Sequence, residues 1–379
     1  MEGAEMKQSK QRIVIVCLAV LIVAAGLGGF FFGRKSESLK YQEEQQYNIQ
    51  LNRSDLEGLG EIDGTIYVTG HKSPDSDTVG CCVAYASLLR KLGYDAVPVV
   101  LGRINPESEY ILNAAGIEAP KLLEDASGLN MVLVDHSEYT QSADGLADAN
   151  VIMIIDHHGA GSVTTGNPLI YDGKPLGAAG TSVWLRYRNY GFSVDKPEAT
   201  ALLGSILSDT KDLKSNTTTF ADREAVASLS RIAGISDVDD FYQDMFKASL
   251  SYEGMTDEEI FFNDYKEYES GGTKYAIGNV NAYDEETAAD LIGRMKATMS
   301  STFSSTGMDM AFAMVSIMHD EISKTYLVPS DEAAEEVLEA AFGDTAVKEG
   351  DVYEVEPYMS RKQKFVPAVT DVLEAHPKE

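Results

Sequence analysis

The chain has 379 residues, 44% hydrophobic and 24% charged, the proportions of a folded protein of about two domains and not of a disordered or collagen-like one. Its formal net charge is −29, and because residues 1–40 hold six basic side chains against three acidic ones, the remainder is more acidic still. Such a body repels nucleic acid and anionic lipid headgroups, which excludes a generic electrostatic nucleic-acid binder; an anionic substrate here needs metal ions or a local basic cluster. The three cysteines, Cys17, Cys81 and Cys82, offer no C-x-x-C spacing, so a thiolate zinc site or a disulfide framework is excluded as well.

Residues 13–32 (IVIVCLAVLIVAAGLGGFFF) carry no charge. A helix of that length rises about 30 Å, the thickness of a bilayer's hydrocarbon core. The run is long for a signal peptide's apolar region, and no small-x-small cleavage pattern follows it. The expectation is an uncleaved single-pass N-terminal anchor in residues 1–40, with the lipid bilayer as partner through residues 13–32. Lys7, Lys10, Arg12 and the amino terminus precede the run, and Arg34, Lys35 and Lys40 follow it. That balance tips towards an internal N-terminus and an extracytoplasmic body. The polar, Glu/Gln-rich residues 41–63 read as a juxtamembrane stalk.

The body opens with the β-branched run TIYVT at 65–69, a strand that stops at Gly70-His71. GHKSPDSDTVG follows, then CCVAYASLLRKLG with helical spacing. AVPVVL at 96–101 reads as another strand. A strand at 131–134 ends in Asp135-His136-Ser137-Glu138, and one at 151–155 ends in Asp156-His157-His158-Gly159. Strands alternating with helical segments predict a parallel α/β sheet with helices on both faces, and such sheets place their sites at the carboxyl ends of the strands.

Four of the six histidines fall in these strand-end clusters, each beside an aspartate. Imidazole with carboxylate is a ligand set for Mn, Zn or Fe. One Asp or Ser after a strand is more often a helix cap, but three clusters at three strand ends point to a site for two metals. Asp209 in GSILSDT adds a carboxylate at the end of a helical pattern, where an anion is unfavourable unless something positive compensates it.

The segment 249–259, with Gly254, reads as linker and hinge between a domain at 64–248 and a smaller one at 260–379. In the latter, YAIGNVNAY and MAFAMVSIM read as strands without fixing a topology. Arg361-Lys362-x-Lys364 is a basic cluster in a very acidic chain; by itself such a cluster is usually a solvated face.

In order, H-x-x-x-D-x-D, D-H-x-E, D-H-H and S-D-T resembles the DHH phosphoesterase superfamily. GHKSPDSDTVG, VDHSE, IIDHHG, GSILSDT with KSNTTT, and SRKQKFVP are similar to the motifs of the family II, manganese-dependent inorganic pyrophosphatases. The G-G-G-H motif of the nucleotide phosphodiesterase branch has no counterpart, since Gly271-Gly272 is not followed by histidine. The resemblance implies a two-domain α/β fold. It implies that His71, Asp75 and Asp135 bind one metal, and that Asp77, Asp135, His157 and Asp209 bind the other, with Asp135 bridging. His158 would be catalytic and His136 would support the ligands from behind. Lys266, Arg361 and Lys362 would bind substrate phosphate.

The cofactors implied are two Mn2+ (or Co2+), with Mg2+ accompanying the substrate; the partners are pyrophosphate or a related small phosphate and a second copy of the chain, with no nucleic acid. The expected activity is hydrolysis of pyrophosphate to two phosphates. Ser73 and Ser137 stand where the family carries Asn, and Gly159 where Arg commonly follows D-H-H. These departures bear on the substrate and leave a short-chain polyphosphatase or a nucleotide phosphohydrolase as the alternative, with an inactive membrane-anchored binding protein behind it.

Overall fold

The computed structural model describes residues 39–302, 306–319 and 322–378. The chain divides into two compact units between Tyr242 and Gln243, upstream of the expected linker at 249–259.

The first unit is built on a six-stranded sheet in the order β3-β2-β1-β4-β5-β6. Its strands are β1 (Ile66–Thr69), β2 (Ala96–Val100), β3 (Lys121–Leu122), β4 (Asn130–Val134), β5 (Asn150–Asp156) and β6 (Ile170–Gly173). Every pairing is parallel, as the alternation of strand and helix predicts. The central strands are apolar on both faces, the pattern of a covered parallel sheet.

The two faces are covered differently. On one lie α2 (Ser76–Lys91), α4 (Ala179–Asn189) and α5 (Lys196–Thr210); the Tyr85 hydroxyl of α2 reaches the Met153 Sδ of β5 at 3.3 Å. On the other, Met131, Leu133, Val151 and Ile154 pack with Ala126, Ala143, Leu146, Leu123, Val163 and Leu169. These belong to loops and to a short 3-10 turn, and among the described residues no α-helix contributes to the cluster. The expectation of helices on both faces is corrected here: the connections between β3 and β4 and between β4 and β5 carry enough Leu and Ala to cover the sheet without one.

A helix α1 covers residues 39–57. It is not a free stalk. Arg53 Nε donates to the Tyr190 carbonyl at 2.9 Å, its guanidinium lies over the Phe192 ring, and the Asp55 carboxylate accepts from the Tyr190 hydroxyl and from Arg186 Nη1. Arg186 is itself buried and paired with Asp172 at 2.8 Å. Arg53 and Asp55 thus tie α1 into a buried charge network, which a reading of composition alone does not reveal.

The localisation and the membrane partner are also corrected. Among the described residues no helix is long and apolar enough to cross a membrane, and the run 13–32 on which the anchor rested lies outside the described residues.

The second unit holds a six-stranded sheet in the order β11-β12-β10-β9-β8-β7. Its strands are β7 (Tyr265–Ser270), β8 (Thr273–Ala282), β9 (Met310–His319), β10 (Ile322–Pro329), β11 (Val347–Glu349) and β12 (Val352–Val355). Only β8 and β9 pair in parallel. Along β9 the side chains alternate: Met310, Phe312 and Met314 face one cluster, while Ala311, Ala313, Val315 and Ile317 face the other. The first cluster is closed by α10 (Glu332–Phe342) and α11 (Val366–Ala375), the second by α8 (Asp257–Asn263) and α9 (Glu285–Thr302). The unit is therefore a helix–sheet–helix sandwich.

In the first unit, α2 and α5 touch backbone to backbone. A Cβ on Gly80 would lie 2.7 Å from the Ala201 carbonyl oxygen and 2.8 Å from Ser205 Cβ. Gly80→Ala must push α5 away, and is expected to cost about 1–3 kcal/mol of unfolding free energy in denaturant titrations; an unchanged midpoint would mean that the helices are free to separate.

Candidate functional site

The carboxyl ends of β1, β4 and β5, the N-termini of α2 and α4 and the C-terminus of α5 converge on one cluster of side chains. His71 follows β1. Its Nδ1 lies 2.8 Å from the Lys72 carbonyl, so that nitrogen carries the proton and donates, while Nε2 faces Asp75 Oδ2 and Asp135 Oδ2, each at 3.4 Å. Asp75 is also the N-cap of α2, its Oδ1 accepting from Thr78 N at 2.9 Å. One of its oxygens thus caps the helix while the other faces His71.

Asp77 is fully buried. It accepts from the backbone N–H groups of Ala179 (2.6 Å) and Gly180 (2.9 Å), the first residues of α4, and from the Ser205 hydroxyl. A helix N-terminus is a natural seat for a carboxylate. Nevertheless burial, followed by the neighbouring Asp135, pushes Asp77 up to about 7.

Asp135 stands at the centre with a left-handed backbone, φ +62. That conformation costs a non-glycine residue about 1–3 kcal/mol and is tolerated where the surroundings fix it. Here they do: Asp135 N donates to Ile155 O at 2.8 Å, and the Thr78 hydroxyl donates to Oδ2 at 2.8 Å. Oδ2 points at His71 and Oδ1 at His157 Nε2, 3.2 Å away. Burial would raise this carboxyl, but the His157 and His71 rings beside it hold it well below the ordinary range.

His157 repeats the arrangement of His71. Nδ1 donates to the Leu176 carbonyl at 3.1 Å, and Nε2 faces Asp135, Asp209 Oδ2 at 3.3 Å and Asp77 Oδ2 at 3.9 Å. Asp209 sits in the last turn of α5; burial, then Asp77 and Asp135, pushes it up to about 9.

Two overlapping groups result, His71–Asp75–Asp135 and Asp77–Asp135–His157–Asp209, in each of which one donor atom per residue lies within 4.8 Å of the others. The donors fit divalent transition metals. Both imidazoles have Nδ1 committed to a carbonyl and Nε2 turned to the carboxylates, the usual presentation of a ligating histidine. Asp135 Oδ1 and His157 Nε2 are buried with no hydrogen-bond partner, and the raised Asp77 and Asp209 mark a place that calls for positive charge.

His158 stands beside this cluster, its side chain 59% exposed. Its Nδ1 donates to Asp156 Oδ1 at 3.0 Å, which raises its pKa and leaves Nε2 outward. Asp156 Oδ2 in turn accepts from the Ser137 hydroxyl at 2.9 Å, and Ser137 Oγ accepts from Gly161 N at 2.9 Å. His158 could also join Asp135 and His157 as a third donor group, but the bond to Asp156 already occupies its Nδ1. His136 is turned away. Nδ1 is at 3.0 Å from the Val134 carbonyl and Nε2 at 3.0 Å from Ser142 Oγ, so it meets His71 only edge to face, with ring centroids 6.4 Å apart.

The three basic residues singled out in the sequence lie in the second unit. Arg361 opens a short π-helical turn (Arg361–Phe365) that leads into α11. Its Nη1 donates to the Asp264 carbonyl and its Nη2 to Asp264 Oδ1, both at 2.7 Å, and its side chain is 13% exposed. Lys266 lies in β7 and pairs with Ile277, whose side chain belongs to the cluster closed by α11, hence on that face. Tyr265, between Asp264 and Lys266, packs on Phe261 and Phe262, on the α8 side. Lys266 therefore sits on the α11 side of the edge strand β7, Arg361 is held by Asp264 just before that strand, and Lys266 and Lys362 are exposed.

Asp156, Thr78, Ser205, Asp264 and the N-terminus of α4 were not found from the sequence. Asp156 had a signal, being part of D-H-H itself. The small residues GAAGT at 177–181, opening a helix, were a weaker one.

If the cluster binds metal, Mn2+ added to metal-free protein raises the unfolding midpoint, by linkage worth about 4 kcal/mol at a thousandfold excess over Kd. His157→Ala should remove most of that shift, whereas His136→Ala should keep it.

Residues 65–206 match the DHH family N-terminal domain, and residues 243–372 match the DHHA2 domain. A manganese-dependent inorganic pyrophosphatase of Methanothrix thermoacetophila is 36% identical over 303 residues, 80% of this chain and 96% of that protein. A Clostridium acetobutylicum protein named "Probable manganese-dependent inorganic pyrophosphatase" is 34% identical over 83% of this chain and 99% of its own length. A crystal structure of a Methanococcus jannaschii protein assigned to the family II inorganic pyrophosphatases superposes with a TM-score of 0.51 at 32% identity, covering 81% of this chain and 99% of that one. The cluster at the strand ends and these full-length matches lead to one statement: the chain belongs to the family II, manganese-dependent inorganic pyrophosphatases.

Proposed function

We propose that this chain hydrolyses inorganic pyrophosphate to two phosphates. The observation that carries the reading is the pair of donor groups sharing Asp135, in a chain whose relatives are named for this reaction. Manganese, or cobalt, held by His71, Asp75 and Asp135 and by Asp77, Asp135, His157 and Asp209, with magnesium accompanying the substrate, would supply Lewis acidity for the attacking water and offset the charge of the phosphoryl oxygens.

The chain's own groups do the rest. His158 presents Nε2 outward with Nδ1–H fixed on Asp156. Its raised pKa suits a proton donor to the departing phosphate oxygen: as the water oxygen bonds to phosphorus and the bridging P–O bond breaks, the imidazolium gives up its proton. Arg361, Lys362 and Lys266 bind phosphate oxygens, Arg361 through the N–H groups that Asp264 leaves free. His136 supports the His71 ring by packing and takes no part in proton transfer.

Gly159 favours a second reading, a short-chain polyphosphatase. A Cβ at this position would meet nothing within 4 Å, so there is open space beside His158 that the backbone does not require.

The test is phosphate release from pyrophosphate, tripolyphosphate and ATP by the full chain with Mn2+ and Mg2+. The proposal predicts pyrophosphate as the preferred substrate, with His158→Ala losing about 10²–10⁴-fold in kcat. Preference for tripolyphosphate would establish the second reading, and metal-loaded, folded protein inert towards all three would reject both. Arg361→Lys is expected to raise KM for pyrophosphate more than it lowers kcat.

A further inference from the structure

Glu107 lies outside every motif the sequence offers, yet it touches both elements that carry the acidic half of the cluster. It sits in the first turn of α3 (Pro106–Ala115), a helix capped by Asn105, whose side chain accepts from Ser108 N at 2.7 Å. One carboxylate oxygen, Oε2, accepts two hydroxyl bonds, from Ser76 Oγ at 2.8 Å and from Ser208 Oγ at 2.9 Å. Ser76 stands between Asp75 and Asp77 at the start of α2, and Ser208 immediately precedes Asp209 at the end of α5.

The strut is rigidly seated. One turn along α3 from Glu107, Ile111 packs so tightly on Gly204, one turn back along α5 from Ser208, that a Cβ on Gly204 would meet Ile111 Cδ1 at 2.7 Å. The pairs 107–208 and 111–204 are successive contacts of two antiparallel helices. Ser108 adds a third bond, with its Oγ 3.2 Å from Ser76 Oγ. A partly buried carboxylate is costly to place, and this one spends both bonds of a single oxygen on hydroxyls next to donor residues.

We propose that Glu107 is a positioning residue for the metal site: it fixes the spacing between the Asp75/Asp77 turn and Asp209, so that their carboxylates are set for the cations before these arrive. This rests on the reading of those residues as metal ligands. Groups that orient ligands from behind typically contribute 10–100-fold in metal affinity.

The experiment is calorimetric titration of metal-stripped full-length chain with Mn2+ alone, with apo thermal unfolding run alongside. Glu107→Ala should weaken Mn2+ binding about tenfold or more. Glu107→Gln, which keeps an amide oxygen able to accept both hydroxyls, should recover most of that loss. Ser208→Ala, a milder change that guards against misfolding of the first variant, should weaken binding in the same direction. Wild-type affinity in Glu107→Ala and Ser208→Ala, with binding still lost in His157→Ala, overturns the proposal; so does a Gln variant as weak as Ala, since charge and not hydrogen bonding would then be at work. Absence of Mn2+ binding by the wild type would instead remove the metal-site reading beneath it.

Discussion

Four aspartates that cannot all be ionised at close quarters without a compensating positive charge are the constraint around which the first unit is arranged. Asp77 and Asp135 are almost entirely buried, and Asp75 and Asp209 complete the set. Two unit charges 4 Å apart repel by about 4 kcal/mol at the effective dielectric of a partly buried site. The fold meets this with fixed dipoles: two N–H groups of α4 on Asp77 and the Thr78 hydroxyl on Asp135. These donors lessen the repulsion without cancelling it, as the raised Asp77 and Asp209 record. A site left so anionic is built to take up cations.

The same constraint accounts for local features that would otherwise be liabilities. Gly70 cannot carry a side chain because a Cβ there would lie 2.3 Å from Thr78 Cγ2, and Thr78 is needed on Asp135. Gly180 is pressed against Ser205 in the same way, to bring the start of α4 onto Asp77. The left-handed backbone at Asp135 turns its two oxygens towards different histidines. In the second unit Asp264 takes an analogous role: two bonds to Arg361 hold the guanidinium plane in place.

Much of this was legible in the sequence, and the residues show why. The strand-end clusters stood out because scarce histidines coincided with aspartates where short continuous apolar runs stop. The structure brings the six residues named for the metal groups close together, with His158 beside Asp135 and His157 in a third grouping. Long-range partners were not legible: Glu107, Ser205 and Asp264 each act through contacts that only the assembled fold creates. Composition misled at 41–63, where Glu and Gln suggested a stalk but Arg53 and Asp55 dock a helix. The rule of helices on both faces failed because loops rich in Leu and Ala cover one side. The inference of an anchor rested on hydropathy alone, in residues that the structure does not describe.

The account turns on one residue being shared between two cation positions. The direct measurement is the stoichiometry of Mn2+ binding to metal-stripped protein, wild type against Asp135→Asn. The account predicts two ions per chain in the wild type and severe weakening of both in the variant, because the amide removes charge from both groups at once. A single ion in the wild type, or a variant that loses one ion and holds the other unchanged, would contradict it.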